Sequence, residues 1–202
     1  MNKLILSIDE CGKGAFLGPL CLCANIFVLS KEGNTSQIWE SYQRTIKEDC
    51  NKVIGKELKT LDSKKVTPLR REKIFNSLFQ YKYKFFIQFL SNVDIDKLGI
   101  ELAWKTAVYK LIKSVEAWST LTIHQIFIDG HPQRIPGLEK YNINFLIKGD
   151  HKLNSIGLAS IMGKTIRDKY IENIVQANIQ EIESNTINNI DDITSETYLL
   201  SK

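Results

Sequence analysis

The sequence has few cysteines and prolines, and it has no long uninterrupted apolar run. Its four cysteines, Cys11, Cys21, Cys23 and Cys50, are too few and too irregularly spaced for a disulfide framework. No Cys-x-x-Cys pair or Cys/His group has the spacing of zinc ligands. These absences exclude a disulfide-stapled secreted module and a zinc-binding module, and they favour a reducing, cytoplasmic setting.

Membrane and export signals are also lacking. The longest stretch without a charged residue, 14–30, contains glycine, proline and asparagine and is too short to span a bilayer. The first residues, Met-Asn-Lys and a short apolar run that stops at Asp9, do not have the pattern of a signal peptide. We therefore expect a protein that is neither exported nor bound to a membrane.

The composition is that of an ordinary globular domain, with 202 residues, 43% hydrophobic residues and 25% charged residues. The net charge is only +4, but it is unevenly distributed. Residues 51–90 contain ten basic and three acidic side chains, whereas residues 171–202 contain one basic and six acidic side chains. The basic segment indicates a cationic surface that could meet phosphates, although solvated loops also produce such runs.

Hydrophobic periodicity predicts an α/β layer structure. Strands are predicted at residues 3–8, 20–29, 82–90, 123–128 and 143–147. Helices are predicted at 36–57, from Thr67-Pro68 onward, from Ile100 onward, and from about 155 to 183, where Asn154 is a candidate cap. In the last helix Gly157, Ser160 and Gly163 recur every three residues, so one face can approach a neighbouring backbone closely. The three tryptophans are expected in the core.

Acidic residues follow several predicted strands. Asp9 with Glu10, Asp129 and Asp150 each stand at or just past the carboxyl end of a strand, where open α/β sheets bind ligands. Such carboxylates repel one another unless cations neutralise them, and oxygen ligands select hard ions such as Mg²⁺ or Mn²⁺. This pattern favours metal-dependent phosphodiester hydrolysis. A single aspartate after a strand is also a common turn former, so periodicity alone leaves both interpretations open.

Four segments, in order along the chain, resemble the motifs of type 2 ribonuclease H (ribonuclease HII). Residues 8–14 (Ile-Asp-Glu-Cys-Gly-Lys-Gly) are similar to the Asp-Glu-Ala-Gly-Arg-Gly signature of that family. Residues 61–65 resemble its Asp-Ser-Lys-Lys element, residues 128–130 its Val-Asp-Gly strand end, and residues 148–168 its Lys-Gly-Asp to Arg-Asp block. The resemblance extends from about residue 3 to 170.

This resemblance implies a ribonuclease H-like fold with a central mixed sheet flanked by helices. It implies an endoribonuclease that hydrolyses the RNA strand of RNA–DNA hybrids, or cuts at ribonucleotides embedded in duplex DNA, leaving 3′-hydroxyl and 5′-phosphate ends. Asp9, Glu10, Asp129 and Asp150 would be the catalytic acids and would bind two Mg²⁺ or Mn²⁺ ions, with Asp9 between them. We expect a cytoplasmic monomer.

The resemblance also implies the residues that contact the substrate. The loop of Gly12, Lys13 and Gly14 would sense the 2′-hydroxyl, which distinguishes RNA from DNA. The side chains expected to hold backbone phosphates are Ser63, Lys64, Lys65, Lys152, Lys164 and Arg167. Lys13 stands where the family has arginine and cannot form a planar bidentate contact. No function is assigned to the three histidines.

Other features depart from the family pattern. We predict a catalytic domain at residues 1–170, with a helical insertion at 34–58. Residues 171–202 are predicted to form a helical extension and an acidic tail. Gly99 stands where the family tends to have asparagine, and no Gly-Tyr-x-Thr-x-x-His segment follows Asp168. That segment supplies a tyrosine that stacks beside the ribonucleotide, so recognition of a single ribonucleotide is expected to be weaker. Two alternatives stay open: a binding or regulatory module with this fold and little or no cleavage, and another nuclease or transposase-like enzyme.

Overall fold

The computed structural model of the chain describes residues 1–15, 18–78, 83–183 and 197–200. The strands are β1 (Lys3–Cys11), β2 (Leu20–Leu29), β3 (Lys84–Leu90), β4 (Thr122–Asp129), β5 (Ile143–Leu146) and β6 (Thr197–Leu200). The helices are α1 (Thr35–Ile54), α2 (Pro68–Leu78), α3 (Asn92–Leu98), α4 (Ile100–Trp118), α5 (Gly149–Lys152) and α6 (Asn154–Glu183). The strands and helices predicted from periodicity are confirmed, whereas α3, α5 and β6 were not predicted.

All six strands form one mixed sheet in the order β5-β4-β1-β2-β3-β6. Strand β1 is antiparallel to β2 and parallel to β4, and β4 is parallel to β5. The carboxyl ends of β1, β4 and β5 therefore lie at one edge of the sheet. Strand β1 continues through Asp9 and Glu10 to Cys11, which is three residues longer than predicted.

Two hydrophobic clusters cover the two faces of the sheet. Leu4, Leu6 and Ile8 of β1 pack with the apolar face of α4 in one cluster. The other cluster joins Cys21 and Cys23 of β2 to helices α1, α2 and α6. Because successive side chains of a strand point to opposite faces, the position of Ile8 beneath α4 places Asp9 on the α6 face and Glu10 on the α4 face.

Helix α1 lies within the insertion predicted at 34–58. It begins after Asn34, whose side chain accepts hydrogen bonds from the amides of Ser36 and Gln37, and it ends at Gly55, which has a φ of 72°. Tyr42 of this helix stacks on Phe27 of β2, with ring centroids 4.0 Å apart. These contacts attach α1 to the sheet.

The small-residue face of α6 makes the close approach that its sequence predicts. A Cβ atom on Gly157 would lie 2.6 Å from the Cβ of Leu61, and one on Gly163 would lie 2.9 Å from the Cβ of Cys23. Any larger residue at these two positions would push α6 away from its neighbours. The glycines therefore set how closely α6, with Ser160 between them, approaches β2 and the segment before α2.

The predicted division of the chain at residue 170 stays a prediction, and α6 passes that position without a break. Most of the predicted acidic tail, residues 184–196, lies outside the described residues, and β6 pairs antiparallel with β3. Within the described ranges, no helix has both the length and the apolar character that a bilayer-spanning segment requires.

Candidate active site

Asp9 is the most buried of the four acids predicted to bind metal. It is 8% exposed, and its Oδ1 accepts a hydrogen bond from the Glu10 amide at 2.8 Å. Burial raises the pKa of Asp9 to about 7, and the negative charges of Asp129 and Asp150 act in the same direction. Hydrogen bonds from the Ser160 hydroxyl and the Glu10 amide oppose this rise in pKa.

Asp129 and Asp150 reach the same region from β4 and α5. Asp129 is the last residue of β4, and its carboxylate accepts a hydrogen bond from the Gly149 amide. The chain turns into α5 at Lys148, which has the left-handed φ of 57°. Burial raises the pKa of Asp150, and the charges of Asp62 and Asp129 raise it further. Asp9, Asp129 and Asp150 therefore act on one another electrostatically, as the sequence predicts.

Glu10 occupies a different environment from Asp9. Its Oε2 accepts a hydrogen bond from the indole nitrogen of Trp104, and its Oε1 lies 3.4 Å from the Nζ of Lys13. Both contacts are on the α4 side of the sheet, as the alternation along β1 requires. The contact with Trp104 was not predicted, because the sequence indicates only that this tryptophan belongs to the core.

The donor set suits a hard divalent cation. In the described part of the chain, no lysine or arginine forms a salt bridge with Asp9, Asp129 or Asp150. Their oxygens thus form a partly buried group of negative charges, which a cation would stabilise. A cage around one ion would require its ligand atoms to lie within 4.8 Å of one another. The carboxylate oxygens of the four predicted acids, Asp9, Glu10, Asp129 and Asp150, do not meet this requirement. Two ions about 3.5–4 Å apart would spread their ligands more widely.

A second acidic group adjoins Asp150 and was not predicted. Ligand atoms of Asp62, Asp150 and His151 lie within 4.8 Å of one another. The Nε2 of His151 is 3.4 Å from Asp62 Oδ2 and 3.4 Å from the Nζ of Lys65. Asp62 is therefore already in contact with cationic or ionisable groups, unlike Asp9. Sequence spacing gave no signal for this group, because residues 62 and 150 meet only through the packing of α6.

Arg167 packs against the glycine loop of residues 12–14 at Gly12. Gly12 has a φ of +94°, and a Cβ atom there would lie 2.4 Å from the Arg167 Nε and 2.8 Å from the Pro19 carbonyl oxygen. The same Nε donates a hydrogen bond to that carbonyl at 2.8 Å. A Cβ atom on Gly14 would meet no atom of the described residues within 4 Å. Arg167 is only 4% exposed, and this burial favours a role in shaping the loop over the predicted phosphate contact.

The segment at 62–66 is held against α6 by a buried arginine that was not predicted. Arg71 donates hydrogen bonds to the carbonyl oxygens of Ser63 and Val66, at 2.9 and 2.8 Å, and forms a salt bridge of 3.1 Å with Asp168. The Ser63 hydroxyl is buried and lies 2.9 Å from that of Ser160. Ser63 thereby contacts the residue that hydrogen-bonds with Asp9.

The remaining predicted phosphate ligands lie in different surroundings. Lys64, Lys65 and Lys152 are exposed, so their side chains are available to a polyanion. Lys164 is partly exposed and forms a salt bridge with Asp168 on the next turn of α6. Contacts between these lysines and a nucleic acid stay predictions.

Comparisons with known proteins agree with this architecture. The family model described as Ribonuclease HII matches residues 45–196, about three quarters of the chain, which include Asp129 and Asp150. The chain belongs to the ribonuclease HII family. The family resemblance inferred from the motifs is thus confirmed, and the chain is an endoribonuclease of the ribonuclease H class.

One relative and two solved structures illustrate the similarity. The Ribonuclease HII of Caldicellulosiruptor saccharolyticus is 30% identical over 172 residues, which cover 85% of this chain and 69% of that protein. The ribonuclease H2 from Pyrococcus horikoshii OT3 matches with a TM-score of 0.58 and 22% identity, covering 86% of this chain and 76% of the other. Bst-RNase HIII in complex with Mn²⁺ matches with a TM-score of 0.62 and 15% identity, covering 87% and 55%. These solved structures confirm the ribonuclease H-like fold.

Proposed function

We propose that this ribonuclease H-class nuclease depends on divalent cations and acts on RNA–DNA hybrids or on ribonucleotides embedded in duplex DNA. Asp9, Glu10, Asp129 and Asp150 are the proposed metal ligands and catalytic acids. Mg²⁺ and Mn²⁺ are the proposed cations, two for each active site. The products would carry 3′-hydroxyl and 5′-phosphate ends.

One observation carries the proposal: three carboxylates from separate segments interact at the sheet edge, and no lysine or arginine among the described residues forms a salt bridge with them. The charges of Asp129 and Asp150 raise the pKa of Asp9, so these groups are close enough to repel one another. Hard divalent cations prefer oxygen ligands of this kind. The similar Bst-RNase HIII was solved in complex with Mn²⁺, which supports Mn²⁺ as a cation to test here.

The proposed role of each acid in cation binding follows from its position. Asp9 is buried, and the charges of the Asp129 and Asp150 carboxylates raise its pKa. Glu10 supplies an oxygen ligand from the opposite face of β1. When bound, the cations would activate a water molecule and stabilise charge on the scissile phosphate. No protein nucleophile is required, and the acids act by holding the cations in place.

The substrate class is supported by the loop beside Glu10. Gly12 and Gly14 carry no side chains, so a sugar–phosphate backbone can approach the loop closely. Backbone groups at such a position can contact a 2′-hydroxyl, which is present only in RNA. Lys64 and Lys65 are exposed and provide positive charge for phosphates near Asp150, because Lys65 contacts His151.

The test uses three duplexes with one labelled strand: a long RNA–DNA hybrid, a DNA duplex with one ribonucleotide, and an all-DNA duplex. The wild-type protein is expected to cut one or both of the first two in Mg²⁺ or Mn²⁺, to leave the third intact, and to be inactive in EDTA. Asp9→Asn is expected to abolish cutting, because it removes a ligand charge. Asp96→Asn, on the exposed surface of α3, is the matched control and should cut normally.

Two results would contradict the proposal. Cleavage that persists in EDTA, or in Asp9→Asn, would exclude the proposed metal ligands. Tight binding of the hybrid without cleavage in either cation would instead support a binding or regulatory module.

A further inference from the structure

Trp104 is a buried aromatic residue with a polar contact to the proposed active site. It lies on the apolar face of α4 and is 2% exposed. Its indole N–H donates a hydrogen bond to the Oε2 of Glu10. A buried indole N–H normally requires an acceptor, and Glu10 meets that requirement although it is 94 residues away in sequence.

Lys13 completes a closed arrangement of three side chains. Its Nζ lies 3.4 Å from Glu10 Oε1 and 5.4 Å from the ring centroid of Trp104. The first contact is an ion pair and the second is a cation–π contact. Each oxygen of the Glu10 carboxylate therefore faces one donor. A carboxylate oxygen has two lone pairs, so both oxygens keep the capacity to bind a cation.

We propose that Trp104 is a positioning residue that fixes the orientation of the Glu10 carboxylate as a metal ligand and anchors Lys13 of the glycine loop beside it. This inference rests on the proposed role of Glu10 in cation binding. Glu10 has several rotatable bonds and is partly exposed, so without the indole donor its carboxylate would sample other rotamers. The conformational cost of fixing it would then be incurred when the cation binds.

Loss of a hydrogen-bond partner of a metal ligand typically reduces metal affinity or activity about 10–100-fold. Trp104→Phe keeps an aromatic ring in the core and removes only the indole donor and some volume. We expect its Mn²⁺ dissociation constant to increase by about 10-fold or more, and we expect excess Mn²⁺ to restore most of the cleavage rate. A purely structural role would lower the melting temperature without changing Mn²⁺ affinity.

The experiment measures Mn²⁺ binding by calorimetry with four proteins: wild type, Trp104→Phe, Glu10→Gln and Trp118→Phe. Trp118→Phe is the matched control, because it makes the same substitution at the end of the same helix, where the residue is 36% exposed. We expect weakened binding in Trp104→Phe and Glu10→Gln and unchanged binding in Trp118→Phe.

A second measurement leaves residue 104 intact and remains available if Trp104→Phe does not fold. The sequence has three tryptophans, so Trp39→Phe combined with Trp118→Phe leaves Trp104 as the sole indole. Mn²⁺ is expected to quench its fluorescence saturably, with the dissociation constant found by calorimetry. Glu10→Gln in the same background should change the emission before any Mn²⁺ is added, because the indole loses its charged acceptor.

The outcomes separate this inference from the proposed function. If the wild type binds Mn²⁺, Glu10→Gln weakens binding and Trp104→Phe does not, Glu10 is a ligand but Trp104 does not position it. Emission of Trp104 that responds to neither Mn²⁺ nor Glu10→Gln would also overturn the inference. If wild type and Glu10→Gln bind Mn²⁺ equally, or not at all, the proposed ligand role of Glu10 fails, and the inference fails with it.

Discussion

Replacing Asp9 with asparagine should stabilise the metal-free protein while removing its activity. Burial and neighbouring carboxylates raise the pKa of Asp9 from 3.8 to about 7. An acid with a raised pKa binds its proton more tightly in the folded state than in the unfolded state. Its contribution to stability is therefore fully present below about pH 4 and is lost as the pH increases to about 7.

The magnitude follows from the shift in pKa. A difference of about 3 pKa units at about 1.36 kcal/mol per unit corresponds to about 4 kcal/mol, which is an upper value for the cost of ionised Asp9 at pH 8. Asparagine has a similar shape and no charge, so it avoids this cost. In EDTA, Asp9→Asn should thus exceed the wild type in unfolding free energy at pH 8 by about 2–4 kcal/mol and by much less at pH 4.

Urea denaturation at several pH values between 4 and 8 measures this difference directly. Asp96→Asn, at an exposed position, should show only a small change over the same range. Saturating Mn²⁺ should then stabilise the wild type and not Asp9→Asn, because a ligand that binds only the folded state shifts the unfolding equilibrium. If Asp9→Asn is less stable than the wild type at pH 8 without metal, the assignment of Asp9 as a costly buried charge is wrong.

Four further substitutions, one of them a control, test how the site is supported. Gly12→Ala should destabilise the protein by about 1–3 kcal/mol in urea denaturation, because the residue has a φ of +94° and its Cβ would lie 2.4 Å from Arg167. The added methyl of Gly14→Ala would meet no atom in the part of the chain that the structure describes, so this control should be nearly neutral; equal effects would contradict this reasoning. Arg71→Met should cost about 2–4 kcal/mol, since it removes the buried donor of two carbonyl oxygens while Asp168 keeps its salt bridge with Lys164, and a loss below about 1 kcal/mol would show that those bonds are unimportant. Lys65→Ala should weaken binding of a hybrid and reduce the dependence of log K on log salt by about one, whereas an unchanged slope would exclude a phosphate contact.

The strands and the sheet edge could be predicted because their signals are local. The apolar runs of β1 and β4 end at acidic residues, and strands of this kind bring their carboxyl ends together in an α/β sheet. The helical periodicity of α4 is equally clear, with buried residues recurring every three or four positions. Such patterns depend only on neighbours along the chain.

Contacts between layers could not be predicted in the same way. The alternation of β1 implies that Asp9 and Glu10 face opposite sides, yet only the register of α4 against the sheet brings Trp104 to Glu10. Asp62 meets Asp150 because glycine at position 157 lets α6 pack closely on Leu61. Strand β6 was not predicted, because it forms by pairing with β3, and that long-range pairing leaves no signal in the residues next to it in sequence.

Acidic oxygens from β1, β4 and α5 are proposed to hold divalent cations at one edge of the sheet, and every functional conclusion depends on this site. Crystals soaked in Mn²⁺ and measured for anomalous scattering would locate the ions directly. We predict two anomalous peaks in contact with carboxylate oxygens of Asp9, Glu10, Asp129 and Asp150. Peaks confined to the Asp62 and His151 group, or no peak near Asp9 at saturating Mn²⁺, would contradict the proposed site.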